Sequence, residues 1–170
     1  MPHPGLNKKK MWQTQKYKIV AGIFLLVVIV WLGFLRDYIF ININYIVDSL
    51  YYNHEVVHYH SFYSFLEPLD VSGLMTLKWM LTLVFTLVNL LLSVIILKQV
   101  FKNPEMPLKL LYISYLVLFI ISGLFYLAGK IGGFPELGYT LSRRFMGTLQ
   151  APVPLMVVAA AHMLFSRNEA

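Results

Sequence analysis

Residues 19–35, IVAGIFLLVVIVWLGFL, carry no charged side chain and end directly against Arg36 and Asp37. A helix that crosses ~30 Å of hydrocarbon at ~1.5 Å per residue needs about 20 mainly apolar residues, so a run of this kind commits the chain to a bilayer. Three more runs share its character: 79–97, 110–129 between Lys109 and Lys130, and 145–165, which contains Gln150, Pro152, Pro154 and His162. Of the 170 residues 58% are hydrophobic and 13% charged. Soluble domains carry about 25% charged residues, so a soluble globule is excluded. The expected fold is an all-α membrane protein with four transmembrane helices at about 19–35, 79–97, 110–129 and 145–165. A basic tail, 1–18, precedes them, and 1–170 forms one membrane domain.

Lys8, Lys9, Lys10, Lys16 and Lys18 ahead of the first run resemble the basic start of a secretory signal. The run is longer than most signal cores and ends in Leu35-Arg36-Asp37 rather than a small-residue cleavage site, which predicts an uncleaved anchor. With four spans, one side holds those five lysines with Lys98, Lys102, Lys109 and Arg167, and the other holds Arg36, Lys78, Lys130, Arg143 and Arg144: nine against five. Positive residues near spans are retained in the cytoplasm, which predicts both termini inside. Lysines this close to a span serve orientation and attract anionic lipid, so the basic balance points to the lipid bilayer and to no nucleic acid. The chain has no cysteine. That removes disulfides, thiolate metal sites and a cysteine nucleophile.

The loop expected at 36–73 is the chemically dense part, with Asp37, Asp48, Glu55, Glu67 and Asp70 against Arg36, three histidines, and tyrosines and phenylalanines suited to headgroup depth. As a helix it would line up Ile39, Ile43, Ile46, Val47, Leu50 and Tyr51 on one face and leave Asn42, Asp48 and Ser49 nearer the polar side, while Asn44 fits neither. The alternation IFININY also suits a short strand; helix is preferred. The architecture therefore includes an aromatic amphipathic outer loop between helices 1 and 2.

His54-Glu55-Val56-Val57-His58 spells H-E-x-x-H, with His60 following. On a helix that spacing sets two imidazoles one turn apart to bind zinc, with Glu55 as the base that activates metal-bound water. A catalytic site needs a third ligand, and His60, Glu67 and Asp70 are awkwardly placed to supply it. Interfacial histidines among tyrosines are the preferred reading, with no metal or other cofactor; the alternative is a membrane-bound zinc hydrolase using His54, His58 and Glu55.

Lys98–Lys109, with Pro104 and Pro107, predicts a tight connector between the second and third helices. Gly132, Gly133, Pro135 and Gly138 predict a turn-rich entry to the last helix, just before Arg143 and Arg144. The arginines either snorkel to headgroups or hold a carboxylate or phosphate in their planar donor forks. Pro152 and Pro154 predict a late start or kink in the fourth span. Ala159–Ala161, and Gly123 with Ser122, offer small patches for helix contact, while Asn89, Ser93 and His162 are expected to bond between helices. No carboxylate lies in the core of a span, which argues against a proton-coupled carrier.

The basic start, Leu35-Arg36-Asp37-Tyr38-Ile39-Phe40, Ile41-Asn42-Ile43-Asn44, and Ser142-Arg143-Arg144 ahead of Gln150-Ala151-Pro152 resemble the small multispan membrane proteins encoded beside exosortases in Bacteroidetes. The resemblance implies an accessory protein of a bacterial inner membrane, assisting an exosortase-like partner in protein sorting. The chain cannot itself be the sorting enzyme, whose family resembles cysteine transpeptidases. The expected function is thus a noncatalytic interaction subunit, with Arg36, Asn42, Asn44, Arg143, Arg144 and Gln150 as contact residues and no catalytic residues.

Overall fold

The computed structural model describes residues 4–52 and 59–168. It is 89% helical, and the described residues form no strand. Five α-helices follow one another: α1 Pro4–Tyr52, α2 Val71–Val100, α3 Glu105–Ile131, α4 Pro135–Leu149 and α5 Val153–Asn168, with a short 3-10 helix, Ser61–Leu66, between α1 and α2. Three helices are long and apolar enough to cross a membrane, over Val20–Tyr51, Val71–Val100 and Glu105–Ile131. The bent pair of α4 and α5 brings the number to four if it forms one span. The protein is therefore built as an integral multipass membrane protein.

Two helices run well past the expected spans. α1 does not stop at Leu35 but continues unbroken to Tyr52. Arg36 does not end it because the guanidinium pairs with Asp37 at 3.4 Å and lies 5.6 Å from the ring centre of Phe40, so its charge is accommodated along the helix. The segment IFININY is accordingly helical and not a strand. α2 begins at Val71 rather than 79, because Asp70 caps it: its carboxylate accepts the Gly73 N–H at 2.8 Å and its carbonyl accepts the Leu74 N–H at 3.0 Å. At ~1.5 Å per residue, α2 is about 45 Å long, and the apolar part of α1 about 48 Å, both beyond the ~30 Å of hydrocarbon.

The fourth expected span, 145–165, is broken. α4 runs through Leu149, and α5 starts at Val153 with a bend of 59°. Pro152 has no N–H to continue the ladder, and the last turn tightens instead: Gln150 N–H bonds Gly147 O and Ala151 N–H bonds Thr148 O, each at 3.2 Å. Pro154 sits in the first turn of α5, where a missing donor is harmless. Arg143 and Arg144 thus lie inside a helix, α4, and not in a turn-rich entry to the fourth span. Gly138 is helical too, and the turn proper is Gly132–Phe134. Gly133 there has φ +78°, a conformation that favours glycine, and Phe134 N–H returns to Gly129 O at 3.1 Å.

The chain divides into two compact units, 31–88 and 1–30 with 89–170. In the first, Ile43, Ile46 and Val47 of α1 pack with Tyr63 and Leu66 of the 3-10 helix and Leu74 of α2. Of the predicted apolar face, Leu50 and Tyr51 are instead exposed. In the second, Ile29 of α1, Ile96 and Leu97 of α2, Leu111 and Tyr115 of α3, Met146 and Leu149 of α4, and Leu155 and Val158 of α5 form one core.

Candidate functional site: buried amides and an outward arginine pair

The asparagines of α1 belong to the 31–88 unit. Asn42, expected on the polar side, is 4% exposed. It is buried because it joins two backbone segments: its Nδ2 donates to Tyr38 O at 2.8 Å, and its Oδ1 accepts the His60 N–H at 2.7 Å. Such an amide satisfies donors and acceptors that the apolar surroundings would otherwise leave unmet. Two residues along the chain, Asn44 Oδ1 accepts from Lys78 Nζ at 2.7 Å. Lys78 is 8% exposed. Sequence reasoning took it for a flanking charge; it falls two turns inside α2, and a lysine at that depth needs polar partners.

The segment between α1 and α2 is held in similar detail. His60 caps the 3-10 helix, its Nδ1 accepting the Phe62 N–H at 3.1 Å. Tyr59 Oη donates to Glu67 Oε1 at 2.5 Å. That hydrogen bond, with a smaller desolvation effect and the carboxylate's charge, pushes the Tyr59 phenol above its ordinary pKa. Burial, assisted by Tyr38, does the same to Tyr63. The H-E-x-x-H run, His54 to His58 with Glu55, lies outside the described residues. The three residues considered as a further zinc ligand each have local work: His60 and Asp70 cap helices, and Glu67 holds Tyr59. Among the described residues no group of three or more His, Cys, Asp or Glu is arranged to hold a metal.

The second polar set lies at the helix break of the other unit. Asn89 Nδ2 donates to Gln150 O at 3.2 Å, and Asn89, Ser93 and Gln150 are all at most 2% exposed. The carbonyl that the α4–α5 break leaves without a helical donor thereby receives one from α2. His162 packs edge-on against Phe101, with ring centres 4.6 Å apart.

α4 itself is fixed on α3 through small residues. A Cβ on Gly129 would stand 2.5 Å from Gly138 Cα, so neither position has room for a side chain. Ser122 Oγ donates to Ser142 O at 3.0 Å and lies 2.9 Å from Ser142 Oγ. The Phe125 and Phe145 rings stack at 5.4 Å, 6° from parallel. Gly138, Ser142, Met146 and Leu149 form the buried stripe of α4. Gly123, expected beside Ser122 in the contact, has open space around it. The glycine contact escaped sequence reasoning, although the spacing of Gly138 and Ser142 on one helical face was there to be seen.

Opposite that stripe, Arg143 and Arg144 are exposed. The ion pair found among the described residues joins Arg36 to Asp37, and neither Arg143 nor Arg144 has a carboxylate within 4 Å there. Of the six candidate contact residues, then, Asn42, Asn44 and Gln150 take part in internal hydrogen bonds and Arg36 lies against Asp37 and Phe40. Arg143 and Arg144 are turned outward. Comparison with protein families, with curated proteins and with solved structures finds no match to this chain.

Proposed function

We propose that this protein is a noncatalytic subunit of a membrane complex and that α4 is its contact element. The observation that carries the reading is the exposed Arg143–Arg144 pair on a helix whose other face is locked to α3. A charged pair on such a support is pre-organised: little ordering remains to be done when an anion arrives, and guanidinium forks suit carboxylate or phosphate in two-point contact. Asn42 and Asn44 then serve the fold of their own unit, and the Asn89–Gln150 bond that of the unit to which α4 belongs. The lysine distribution supports both termini in the cytoplasm and α4 entering from the opposite side. The resemblance of the Arg36-Asp37 and Ser142-Arg143-Arg144 segments to proteins encoded beside exosortases supports a sorting enzyme of a bacterial inner membrane as the partner.

The test is purification from native membranes of wild type and of the Arg143→Gln/Arg144→Gln variant, with thermal unfolding recorded for both. The expected result is a protein that co-purifies in constant ratio with wild type and is lost from the variant at unchanged stability. Retention of the same protein by the variant would remove α4 from the contact.

A further inference from the structure

Resting on the subunit reading, we infer that Arg143 and Arg144 meet a carboxylate carried by a membrane-spanning helix of the partner, below the headgroup layer. The register of α4 on α3 sets their depth. α4 turns back along α3, and Ser142 is bonded to Ser122. Ser122 lies about 12 Å along α3 from Lys130, the charged residue at that end, at ~1.5 Å per residue. Measured along α4, Arg143 and Arg144 lie about 12–14 Å from Pro135, which follows the turn. The two rulers agree: the arginines stand beside the apolar, membrane-spanning part of α3.

α4 has no freedom to lift them out. The Gly129–Gly138 approach, the Ser122–Ser142 bonds and the Phe125–Phe145 stack fix its register at three heights. Beside the arginines its exposed face carries Leu137, 57% exposed, and Tyr139, 39% exposed, with Glu136 and Thr140 toward the turn end. Successive residues of a helix point about 100° apart, so the two guanidinium groups flank a line through Thr140 and Gly147 rather than lying on it. Thr140 is exposed on that line and Gly147 half-buried, and residues this small let a second helix approach with an arginine on either side. An apolar helix with one acidic residue complements this surface in shape and charge. Glu136, the acid of α4 itself, lies about 10 Å or more away along the helix axis, at ~1.5 Å per residue.

The probe is a leucine-rich transmembrane peptide with a single Glu about 12 Å from one end of its apolar stretch, compared with the same peptide bearing Gln. The full chain is reconstituted in phosphatidylcholine vesicles with a fluorophore on Asn103→Cys, a clean label since the sequence holds no other cysteine. Energy transfer to a labelled peptide reads association. The expected result is about tenfold tighter association of the Glu peptide. That preference should vanish in Arg143→Gln/Arg144→Gln and be partly restored in Arg143→Lys/Arg144→Lys.

Equal association of the two peptides overturns the inference. So does a Glu preference that phosphatidylglycerol abolishes when it replaces part of the phosphatidylcholine, since lipid phosphate is then the counter-ion. If the preference is absent while the Gln variant still loses its partner from native membranes, the carboxylate assignment falls and the subunit reading stands. If the variant also keeps that partner, both fall.

Discussion

The asparagines near the end of α1 and the arginines of α4 are polar groups in an apolar chain, and they are placed in opposite ways. Asn42 and Asn44 point into their unit, where each closes a bond to another segment: the His60 backbone for one, the Lys78 ammonium for the other. Arg143 and Arg144 point away from theirs, off the buried stripe of Gly138, Ser142, Met146 and Leu149. An inward amide stabilises by satisfying groups that would otherwise be buried unmet, whereas an outward cation at lipid depth is costly until something covers it. On insertion scales that cost is about 2.5–3.5 kcal/mol for an arginine at the centre of a span. Polar residues of the first kind build a membrane fold, and on the proposed reading those of the second kind mark where another molecule completes it.

Substitutions on the two sides should therefore behave differently. The largest effect on stability is expected on the support of the arginines: Gly129→Val forces a side chain into the Gly138 backbone and should cost about 3 kcal/mol or prevent folding. Gly123→Ala, which meets nothing within 4 Å, should leave unfolding in detergent almost unchanged. Equal effects would show that α4 is not fixed where the structure puts it. Next, Asn44→Leu withdraws an acceptor from the buried Lys78 ammonium and should destabilise by about 1.5–3 kcal/mol, without loss of the partner from material that remains folded. Ser122→Ala should cost about 1 kcal/mol, since Ser142 keeps its helical bonds.

The smallest effect sharpens the inward side. Tyr59 has a raised pKa because its hydroxyl donates to Glu67. A group whose folded-state pKa is raised contributes stability that is fully present below its ordinary value, ~10 for tyrosine, and is lost as pH rises through the raised one. The stability contributed by the raised Tyr59 pKa should thus be present at neutrality and lost only in strong alkali. Tyr59→Phe should flatten that alkaline step in a thermal-unfolding series, and an unchanged step would show that the bond does not bear on stability.

The apolar runs made the membrane class and most of the helices legible in the sequence, because burial in lipid demands length and hydrophobicity that few other folds share. What stayed hidden depended on pairing. Arg36-Asp37 has the look of a helix boundary, yet the local ion pair and Phe40 let α1 pass through it. Gly132, Gly133, Pro135 and Gly138 look like one turn, but only the first two glycines make it, and Gly138 meets a glycine on the preceding helix. Lys78 looked like a membrane-edge charge because the acceptor that buries it lies on α1, 34 residues earlier. Helical periodicity says which residues share a face; it does not say which face of another helix they meet.

The most direct test of the account compares partner retention per folded molecule for Asn44→Leu and for Arg143→Gln/Arg144→Gln, each purified from native membranes. The account predicts that Asn44→Leu lowers the unfolding temperature and keeps the partner on whatever remains folded, while the arginine variant keeps its unfolding temperature and loses the partner. If the arginine variant unfolds early, or if Asn44→Leu strips the partner from folded protein, the division between inward and outward polar residues is wrong.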